Sequence, residues 1–524
     1  MGQITDKDRR LSCHHTVLNN GVTGSCHILD FRFSNDEHHL FLADVGMFLG
    51  GEAEDLQKRE NGYFVNNLSF PIEMCDIEGI MISHNHTDHI GRLPLLVHLG
   101  YKGPIYVTYA TALLIKDALM DCYKCTRRTL QLYNELDVER TLNLLRIVDF
   151  NKTIRVYNNG SNGRKSVDVT FFMNGHLLGS ACMLFHAKDE KEDLNIFYTG
   201  DYKKENIFFD AKPIPQWVYK LPMNLIVEST YGTSDSADIE YTFQKNVIRA
   251  TRRGGTVIIP VIALERTEVV LYNLKQMQRD EILDTNIPIF LVGKLAVQYL
   301  HVYHQKNSLV KSRLGLINDA INFIPKNFSV VSGENIDDIL WSRKQMIVLA
   351  TPGMMTQGNS YNFIMKHIEN KKDLIQITSY VASEFGNKIL NAERGEQLTF
   401  TNNHRAMVKA EVEQTNEFSA HAKRDELYND VIRKFEKIEC LTIVHGEPEV
   451  RRSFAEYVKS QKGFSKDTPV IIGDKNKKII YSNNGPKEVY EKLENIEPLI
   501  IRIRETKRKN YKFRQRKNRN SKKR

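Results

Sequence analysis

Four side chains that can bind a metal ion fall within six residues of this 524-residue chain. Residues 84–89 read HNHTDH and directly follow an apolar stretch. Because His84 and His86 are two residues apart, an extended or turning backbone can aim both imidazoles at one ion, while Asp88 and His89 can turn toward a second. Imidazole and carboxylate ligands suit zinc. A histidine-rich surface loop is the alternative, but four ligands at a strand end favour a metal site.

Three further candidate ligands occupy similar places at the ends of strands or in loops. His176 lies in GHLLGSA, Asp201 in YTGDY and His445 in VHGE. A lone histidine after a strand is more often a structural residue, so each is weak evidence by itself. Their order along the chain gives them weight, and with the first four they would complete a site for two ions.

Short apolar strands alternate with helical patterns along the whole chain, which predicts an α/β architecture. Several of the strands end at an acidic or histidine residue. After Gly232 the alternation becomes more regular, and strands separated by helices imply parallel pairing. The predicted strands of this part are Thr256–Ile259, Ile287–Val292, Met346–Leu349 and Leu374–Ile377. A long amphipathic helix is predicted around residues 112–125.

Seven scattered motifs together resemble the metallo-β-lactamase superfamily and, within it, the β-CASP nucleases. The HNHTDH segment is similar to the second motif of that superfamily. The other matching positions are Asp44 for the first motif, His176 for the third, Asp201 for the fourth, and Glu228, His421 and His445 for motifs A, B and C. The segments around 259–266 and 351–355 also look like that family. The resemblance spans about residues 15–475.

The resemblance implies a ligand set and a fold. One zinc ion would be bound by His84, His86 and His176, and another by Asp88, His89 and His445. Asp201 would bridge the two, and Asp44 would orient ligands through hydrogen bonds. The fold would be a four-layer αββα domain made from residues 1–232 and 396–480, interrupted by a Rossmann-like β-CASP domain at 233–395, with an extension at 481–524.

The resemblance also implies a ribonuclease that hydrolyses single-stranded RNA. It would be an endonuclease, with 5′-exonuclease activity as an addition, in which two zinc ions activate a hydroxide. His421 would be the general acid and Glu228 would hold its tautomer. His445 at motif C accompanies RNA substrates in the family. Candidate contacts to RNA are Arg266, Gly353 and Ser419, although an Arg266 that faces solvent is an equal alternative.

Other functions compete with this interpretation. A DNA-processing nuclease of the Artemis type would share the fold, and an inactive RNA-binding scaffold would have lost metal ligands. A small-ester hydrolase would share the HNHTDH segment but lack motifs A to C and the inserted domain. The chain also departs from the family pattern at Glu265, where glycine is usual, at Lys423, where aspartate is usual, and over residues 379–387.

Charge is concentrated at the C-terminus. The formal net charge is +9, with 73 basic and 64 acidic side chains. Residues 501–524 hold 13 of the basic side chains and one acidic, so residues 1–500 are close to neutral. The tail Lys507–Arg524 cannot form a core and would contact RNA or the ribosome through its cations.

Composition excludes several classes of protein. Hydrophobic residues make up 41 %, typical of a globular chain, and no apolar run is long enough to span a membrane. Seven scattered cysteines, among them the pair Cys122 and Cys125, suggest reduced thiols. We therefore expect a cytoplasmic protein, or a nuclear one if the organism has a nucleus. The oligomeric state is open, with a homodimer among the alternatives.

Overall fold

The structure is a computed structural model that describes residues 10–490, apart from 36, 50–66, 68–69, 127–131, 160–163, 191, 318–321, 356–357, 382, 401–403 and 476. The basic tail Lys507–Arg524 lies outside the described residues. Among the described helices, none has the length and hydropathy required to cross a bilayer.

The described residues of the first segment form eleven strands and five α-helices. The predicted amphipathic helix is confirmed as α3, whose buried positions Leu114, Ile115, Ala118 and Cys122 recur every three or four residues. The strands are β1 (Ser12–Val17), β2 (His27–Arg32), β3 (His38–Ala43), β4 (Ile77–Met81), β5 (Ile105–Thr108), β6 (Leu145–Val148), β7 (Thr153–Asn158), β8 (Lys165–Met173), β9 (Ala181–Asp189), β10 (Glu192–Tyr198) and β11 (Met223–Val227). The helices are α1 (Thr87–Ile90), α2 (Leu93–His98), α3 (Tyr109–Thr126), α4 (Glu135–Asn143) and α5 (Gln216–Tyr219).

The middle of the chain alternates strands with helices, as its pattern predicts. Its strands are β12 (Val257–Pro260), β13 (Ile289–Val292), β14 (Phe328–Val331), β15 (Ile347–Ala350), β16 (Leu374–Ile377), β17 (Gln397–Thr399), β18 (Arg405–Met407) and β19 (Glu411–Gln414). Its helices are α6 (Phe243–Arg252), α7 (Arg266–Arg279), α8 (Lys294–Tyr303), α9 (Ser308–Leu314), α10 (Asn335–Leu340), α11 (Asn359–His367) and α12 (Glu384–Leu390).

The last segment returns to the first domain. It holds α13 (Arg424–Glu426), which continues through a π turn (Leu427–Val431) and a 3₁₀ turn (Ile432–Lys434), then β20 (Ile438–Ile443), α14 (Pro448–Ser460), β21 (Val470–Ile472), β22 (Lys477–Ser482) and β23 (Lys487–Tyr490).

Two mixed sheets face each other and form the predicted αββα domain. One has eight strands in the order β23-β22-β1-β2-β3-β4-β5-β6, and the other has seven in the order β21-β20-β11-β10-β9-β8-β7. A core that includes Phe31, Phe41, Phe171 and Phe185 fills the space between the sheets. Separate apolar clusters lie under the helices on the two outer faces. Burial on both faces explains why many of these strands are continuously apolar.

The inserted domain is built on a parallel sheet of six strands in the order β14-β13-β15-β12-β16-β19. The pairings are all parallel, which confirms the predicted Rossmann-like character. However, β15 lies between β13 and β12, so the strand order differs from that of dinucleotide-binding domains.

The chain continues to contact the inserted domain after residue 395, the predicted C-terminal boundary of the insert. Strand β19 pairs in parallel with β16 of the inserted sheet. Leu398 and Ala406 of the hairpin β17–β18 join the same apolar core. The strands of this stretch are short and polar, and β19 pairs with a strand that is distant in sequence. A local sequence pattern therefore does not show that the stretch belongs to the inserted domain. We propose that the insert ends after Gln414.

Candidate metal centre and active site

Five of the proposed site residues lie where strands of the two facing sheets end. Asp44 follows β3, Asp201 follows β10, Glu228 follows β11 and His445 follows β20, while His84 begins the loop after β4. Strands β3 and β4 are parallel, as are β10, β11 and β20. Parallel strands end at the same edge of each sheet, and the two sheets face each other, so residues up to about 400 positions apart meet at this end of the domain.

The first cluster contains the ligands proposed for one ion. Potential ligand atoms of His84, His86, His176 and Asp201 all lie within 4.8 Å of one another. From Asp201 Oδ2, His84 Nε2 is at 3.5 Å and His176 Nε2 is at 3.7 Å. His176 Nε2 is also 3.2 Å from His86 Nδ1. His84, His176 and Asp201 are buried.

The second cluster lies on the other side of Asp201. Asp88, His89 and His445 again have ligand atoms within 4.8 Å of one another. The two imidazoles face each other with Nε2 atoms 3.2 Å apart. His89 Nε2 is 3.2 Å from Asp201 Oδ2, and His445 Nδ1 is 3.3 Å from Asp201 Oδ1. The Asp201 carboxylate is thus placed between the two clusters.

The hydrogen bonds around the clusters leave ligand lone pairs pointing at one another. His176 Nδ1 is 2.9 Å from the Ala420 carbonyl, to which only an N–H can donate, so its Nε2 carries a lone pair. Burial lowers the pKa of His84, His86 and His176, which keeps these imidazoles neutral. His84 Nε2 and Asp201 Oδ1 are buried without a hydrogen-bond partner among the described residues. Converging lone pairs of this kind fit a bound cation.

The electrostatics of the second cluster also favour a cation. Burial lowers the pKa of His89, but the carboxylates of Asp201 and Asp44 more than offset it and raise that pKa well above the usual range. Burial raises the pKa of Asp201, yet His445 and His89 outweigh it, so the pKa is lowered and the carboxylate is ionised. A positive charge is therefore stabilised at His89 Nε2, where a metal ion would replace the proton.

Asp44 acts behind the ligands, as the resemblance implies. Its Oδ2 accepts hydrogen bonds from His89 Nδ1 at 2.8 Å, Ser83 Oγ at 2.7 Å and Tyr198 OH at 2.8 Å. Ser83 Oγ is in turn 2.9 Å from His84 Nδ1. One buried carboxylate is thus connected by hydrogen bonds to His89 directly and to His84 through Ser83. Asp44 has φ of 60°, and strain of this kind is typical of functional sites.

His421 and Glu228 form the pair that the resemblance implies. His421 Nδ1 lies 3.0 and 3.1 Å from the two carboxylate oxygens of Glu228, and its Nε2 points to Asp201 Oδ2 at 3.9 Å. Glu228 is fixed by the Tyr202 backbone N–H and the Thr230 hydroxyl, at 2.5 and 2.6 Å. Burial lowers the pKa of His421, but the charges of Glu228 and Asp201 prevail and raise it to about 8.

A cleft of about 1350 Å³ joins this centre to the inserted domain. Arg266 begins α7 and borders the cleft, but it is only 9 % exposed, so the solvent-facing alternative is wrong. Burial lowers the pKa of Arg266 to about 10, which still leaves a cation at neutral pH. Ser419 also borders the cleft, with its hydroxyl bonded to the backbone of His421.

Gly353 borders the cleft and has a packing role that the sequence does not reveal. A Cβ at this position would lie 2.8 Å from the backbone nitrogen of Ile262. The absence of a side chain therefore lets the loop after β15 approach the loop after β12.

Glu265 replaces the glycine that is usual in the family, but its carboxyl is mostly uncharged and would not repel a phosphate. It adopts φ of 66°, a conformation that favours glycine. Its buried carboxyl accepts hydrogen bonds from Asn206 and Tyr303. Burial raises the pKa of Glu265 to about 8, so the group is mostly neutral at pH 7. Asn206 also donates to the Gly175 carbonyl at 3.1 Å, which links the insert to the loop of His176.

Several functional contacts come from residues that the sequence does not single out. Ser83 and Tyr198 bond Asp44, and Thr230 bonds Glu228 and lies 3.1 Å from His445 Nδ1. Each is adjacent to or within three residues of a motif residue, which is the only signal available. The pair Cys122 and Cys125 are free thiols whose pKa is raised by burial, to about 12 and about 11.

Two family models match the chain. A Beta-Casp domain covers residues 267–389, and a Zn-dependent metallo-hydrolase RNA specificity domain covers residues 405–470. The chain is 29 % identical over 445 residues to the Probable RNase MJ4 of Methanocaldococcus jannaschii, covering 82 % of this chain and 92 % of that protein.

Longer relatives match as well. The Transcription termination factor FttA of a Lokiarchaeum is 26 % identical over 442 residues, covering 81 % of this chain and 65 % of that protein. Endoribonuclease ysh1 of Aspergillus fumigatus is 28 % identical over 409 residues, covering 71 % and 42 %. The chain thus spans less than two thirds of the length of these two relatives.

The fold, the clustered ligands and these matches agree with one another. Together they support the assignment of the protein to the β-CASP nucleases of the metallo-β-lactamase superfamily. It is a metal-dependent hydrolase.

Proposed function

We propose that the protein is a zinc-dependent ribonuclease that hydrolyses phosphodiester bonds of single-stranded RNA. The observation that supports this most is the convergence of seven metal-binding side chains beside the pair His421 and Glu228, at the floor of a cleft between two domains. Hydrolysis of a phosphodiester requires a nucleophile, stabilisation of negative charge and a proton donor, and this arrangement offers a place for each.

The residues that would hold two zinc ions are those of the two clusters. His84, His86 and His176 would bind one, Asp88, His89 and His445 the other, and Asp201 both. When bound, the two ions would supply a nucleophile from water at neutral pH and stabilise negative charge on phosphoryl oxygens. Histidine and carboxylate donors fit zinc better than magnesium or calcium, which prefer oxygen ligands.

His421 is the proposed proton donor to the leaving 3′-oxygen. Its Nδ1–H faces Glu228, so its Nε2 is the nitrogen directed toward the centre and available to carry the second proton. Glu228 stabilises the imidazolium by its charge and orients the ring. After cleavage, the proton from Nε2 remains on the new 3′-hydroxyl, and the other product carries a 5′-phosphate.

The choice of RNA rests on the relatives and on the cleft. Relatives are named as an RNase and as an endoribonuclease, and one family model is described as an RNA specificity domain. Arg266 offers a cation for a backbone phosphate. We propose endonuclease activity on this basis, with 5′-exonuclease activity as a secondary mode.

We further propose that the tail Lys507–Arg524 tethers RNA, including ribosomal RNA, through its cations. All seven cysteines are free thiols, which supports a reducing compartment such as the cytoplasm.

The test combines metal content with cleavage of end-labelled RNA. The zinc-loaded wild type should contain about two ions per chain and cleave RNA but not a DNA of the same sequence. Asp201→Asn should lose zinc and activity together, whereas His421→Ala should keep its zinc and lose most activity. Cleavage of the DNA at an equal rate would favour a DNA-processing nuclease of the Artemis type. RNA binding without cleavage by the zinc-loaded protein would favour an inactive scaffold.

A further inference from the structure

We propose that Tyr231 is a stacking platform for the nucleobase of the nucleotide that departs with the 3′-oxygen. The inference rests on the proposed ribonuclease function and specifies how its substrate is held. Tyr231 borders the cleft, four residues after β11 and three after Glu228. Its ring centroid is 6.1 Å from that of His421, with the planes inclined at 52°.

The position beside His421 decides which nucleotide would meet the ring. His421 Nε2 is directed at the leaving oxygen, so the ribose and base attached to that oxygen lie on the His421 side of the metal centre. A base there is one ribose away from the proton donor. Tyr231 borders the cleft, and its ring lies beside that of His421.

One face of the Tyr231 ring is already covered by a buried cation. The ammonium of Lys423 lies 3.7 Å from the ring centroid, and Lys423 is only 1 % exposed. Among the described residues, no carboxylate lies within ion-pair distance of that ammonium, and the ring lies directly over it. Tyr231 borders the cleft and Lys423 does not, so we place the base on the face of the ring opposite the ammonium.

Backbone contacts hold Tyr231 in position, and the lysine cation favours stacking on its ring. The backbones of Tyr231 and Lys423 form a parallel β bridge, and the Ser234 N–H donates to the Tyr231 carbonyl at 3.1 Å. A ring held in place loses little conformational entropy when a base stacks on it. A cation on one face also draws electron density from the other, which favours stacking of an electron-rich purine.

The positive charge of Arg266 completes the proposed site for one nucleotide. The buried Arg266 guanidinium borders the same cleft as Tyr231. Tyr231 would bind a base and Arg266 a phosphate of a strand whose bases are not paired with a second strand. A duplex keeps its bases paired and stacked, so this site would select single strands.

The experiment uses two RNAs that compete in one reaction with the zinc-loaded protein. They differ only in an abasic residue that replaces the purine 5′ of the scissile phosphate, and the ratio of their kcat/KM values is measured. The wild type should prefer the intact RNA about tenfold. Tyr231→Leu should reduce the ratio to about one, whereas Tyr231→Phe should retain it because the ring, not the hydroxyl, carries the stacking.

A ratio cancels any general loss of activity in a variant. Trp217→Ala is the control for loss of an exposed aromatic, because Trp217 is 50 % exposed and lies outside the cleft lining. It should keep the wild-type ratio. A wild-type ratio near one, or an unchanged ratio in Tyr231→Leu, overturns the inference while leaving the ribonuclease proposal intact. If the wild type cleaves neither RNA, both proposals fail.

Photocrosslinking tests the wild type alone, in case Tyr231→Leu does not fold. An RNA carries 5-iodouridine 5′ of the scissile phosphate and a methylene group in place of the leaving 3′-oxygen, so it binds but cannot be cleaved. Irradiation should crosslink the iodinated base to the peptide that contains Tyr231. Crosslinking to Tyr241 or Tyr380 instead, which also border the cleft, would overturn the assignment.

Discussion

Replacing Glu228 with glutamine should shift the pH dependence of cleavage rather than abolish it. The side chain is 1 % exposed and receives the Tyr202 N–H and the Thr230 hydroxyl. Glutamine has the same shape and can keep the Tyr202 bond, while its NH₂ group donates to the Thr230 oxygen. The hydrogen bond with His421 is retained in geometry, but the negative charge 3.0 Å from Nδ1 is lost.

The magnitude follows from the charge. An ionised carboxylate in contact typically raises the pKa of a histidine by about 1 to 3 units. Without it, the pKa of His421 should fall from about 8 to roughly its ordinary value of about 6.5. A general acid must be protonated, so activity is present below the pKa and declines as the pH rises through it. The rate of the variant relative to wild type should fall about fifteenfold at pH 8 and less than twofold at pH 6.

The assay is single-turnover cleavage of a short RNA from pH 5.5 to 9, with both zinc sites filled. The quantity of interest is the difference between the two profiles, which reports the loss of the Glu228 charge. A second RNA with a 3′-sulfur leaving group, which departs without a proton, should restore the variant to the wild-type rate. An equal loss at pH 6 and pH 8, or no recovery with sulfur, would refute the role of His421 as the acid.

Asp44→Asn should weaken zinc binding by about 10- to 100-fold, because one of its donors is left unpaired; zinc retained on dialysis measures this, and Asp30→Asn, which removes a buried carboxylate bonded to Arg32 and His38, should retain zinc normally. Removing zinc with a chelator should lower the melting temperature, since ions at about 100 times their Kd stabilise by about 2.7 kcal/mol, and Asp201→Asn should show a smaller difference. Burial raises the pKa of Glu265 from 4.5 to about 8, so the native state binds this proton more tightly than the unfolded chain and stability falls as the pH rises through that interval. In Glu265→Gln that fall should be smaller by a few kcal/mol in urea titrations at pH 5 and pH 8.5; an identical fall would place the ionised group elsewhere. Deleting Lys507–Arg524 should reduce RNA affinity at low salt and leave turnover of a saturating short RNA unchanged; unchanged affinity would dismiss the tether.

The local sequence was sufficient to locate the chemistry. The spacing of His84, His86, Asp88 and His89 after an apolar strand already indicates a metal site. Four imidazole or carboxylate side chains occur there within six residues. Strand and helix periodicity likewise indicates the parallel insert, since buried strands between helices carry a strong apolar signal.

The sequence alone does not determine the orientation of Arg266, the need for glycine at position 353 or the pairing of β19. Whether Arg266 faces solvent or the cleft depends on how α7 packs, and the helix pattern is compatible with both. The need for glycine at 353 arises from the nearby Ile262 backbone, which is distant in sequence. Strand β19 is recognisable only by its pairing with β16.

The types and order of the candidate metal ligands are properties of the sequence, as is the alternation of strands and helices that builds two sheets and an insert. Their meeting is a property of the tertiary structure, because parallel pairing brings Asp201 and His445 to one edge of their sheet and the packing of the two sheets brings His84 beside them. The same packing buries Glu228 against His421 and Lys423 behind Tyr231. Burial removes the water that would otherwise screen these charges, so the shifts in pKa and the shape of the cleft exist only in the folded chain.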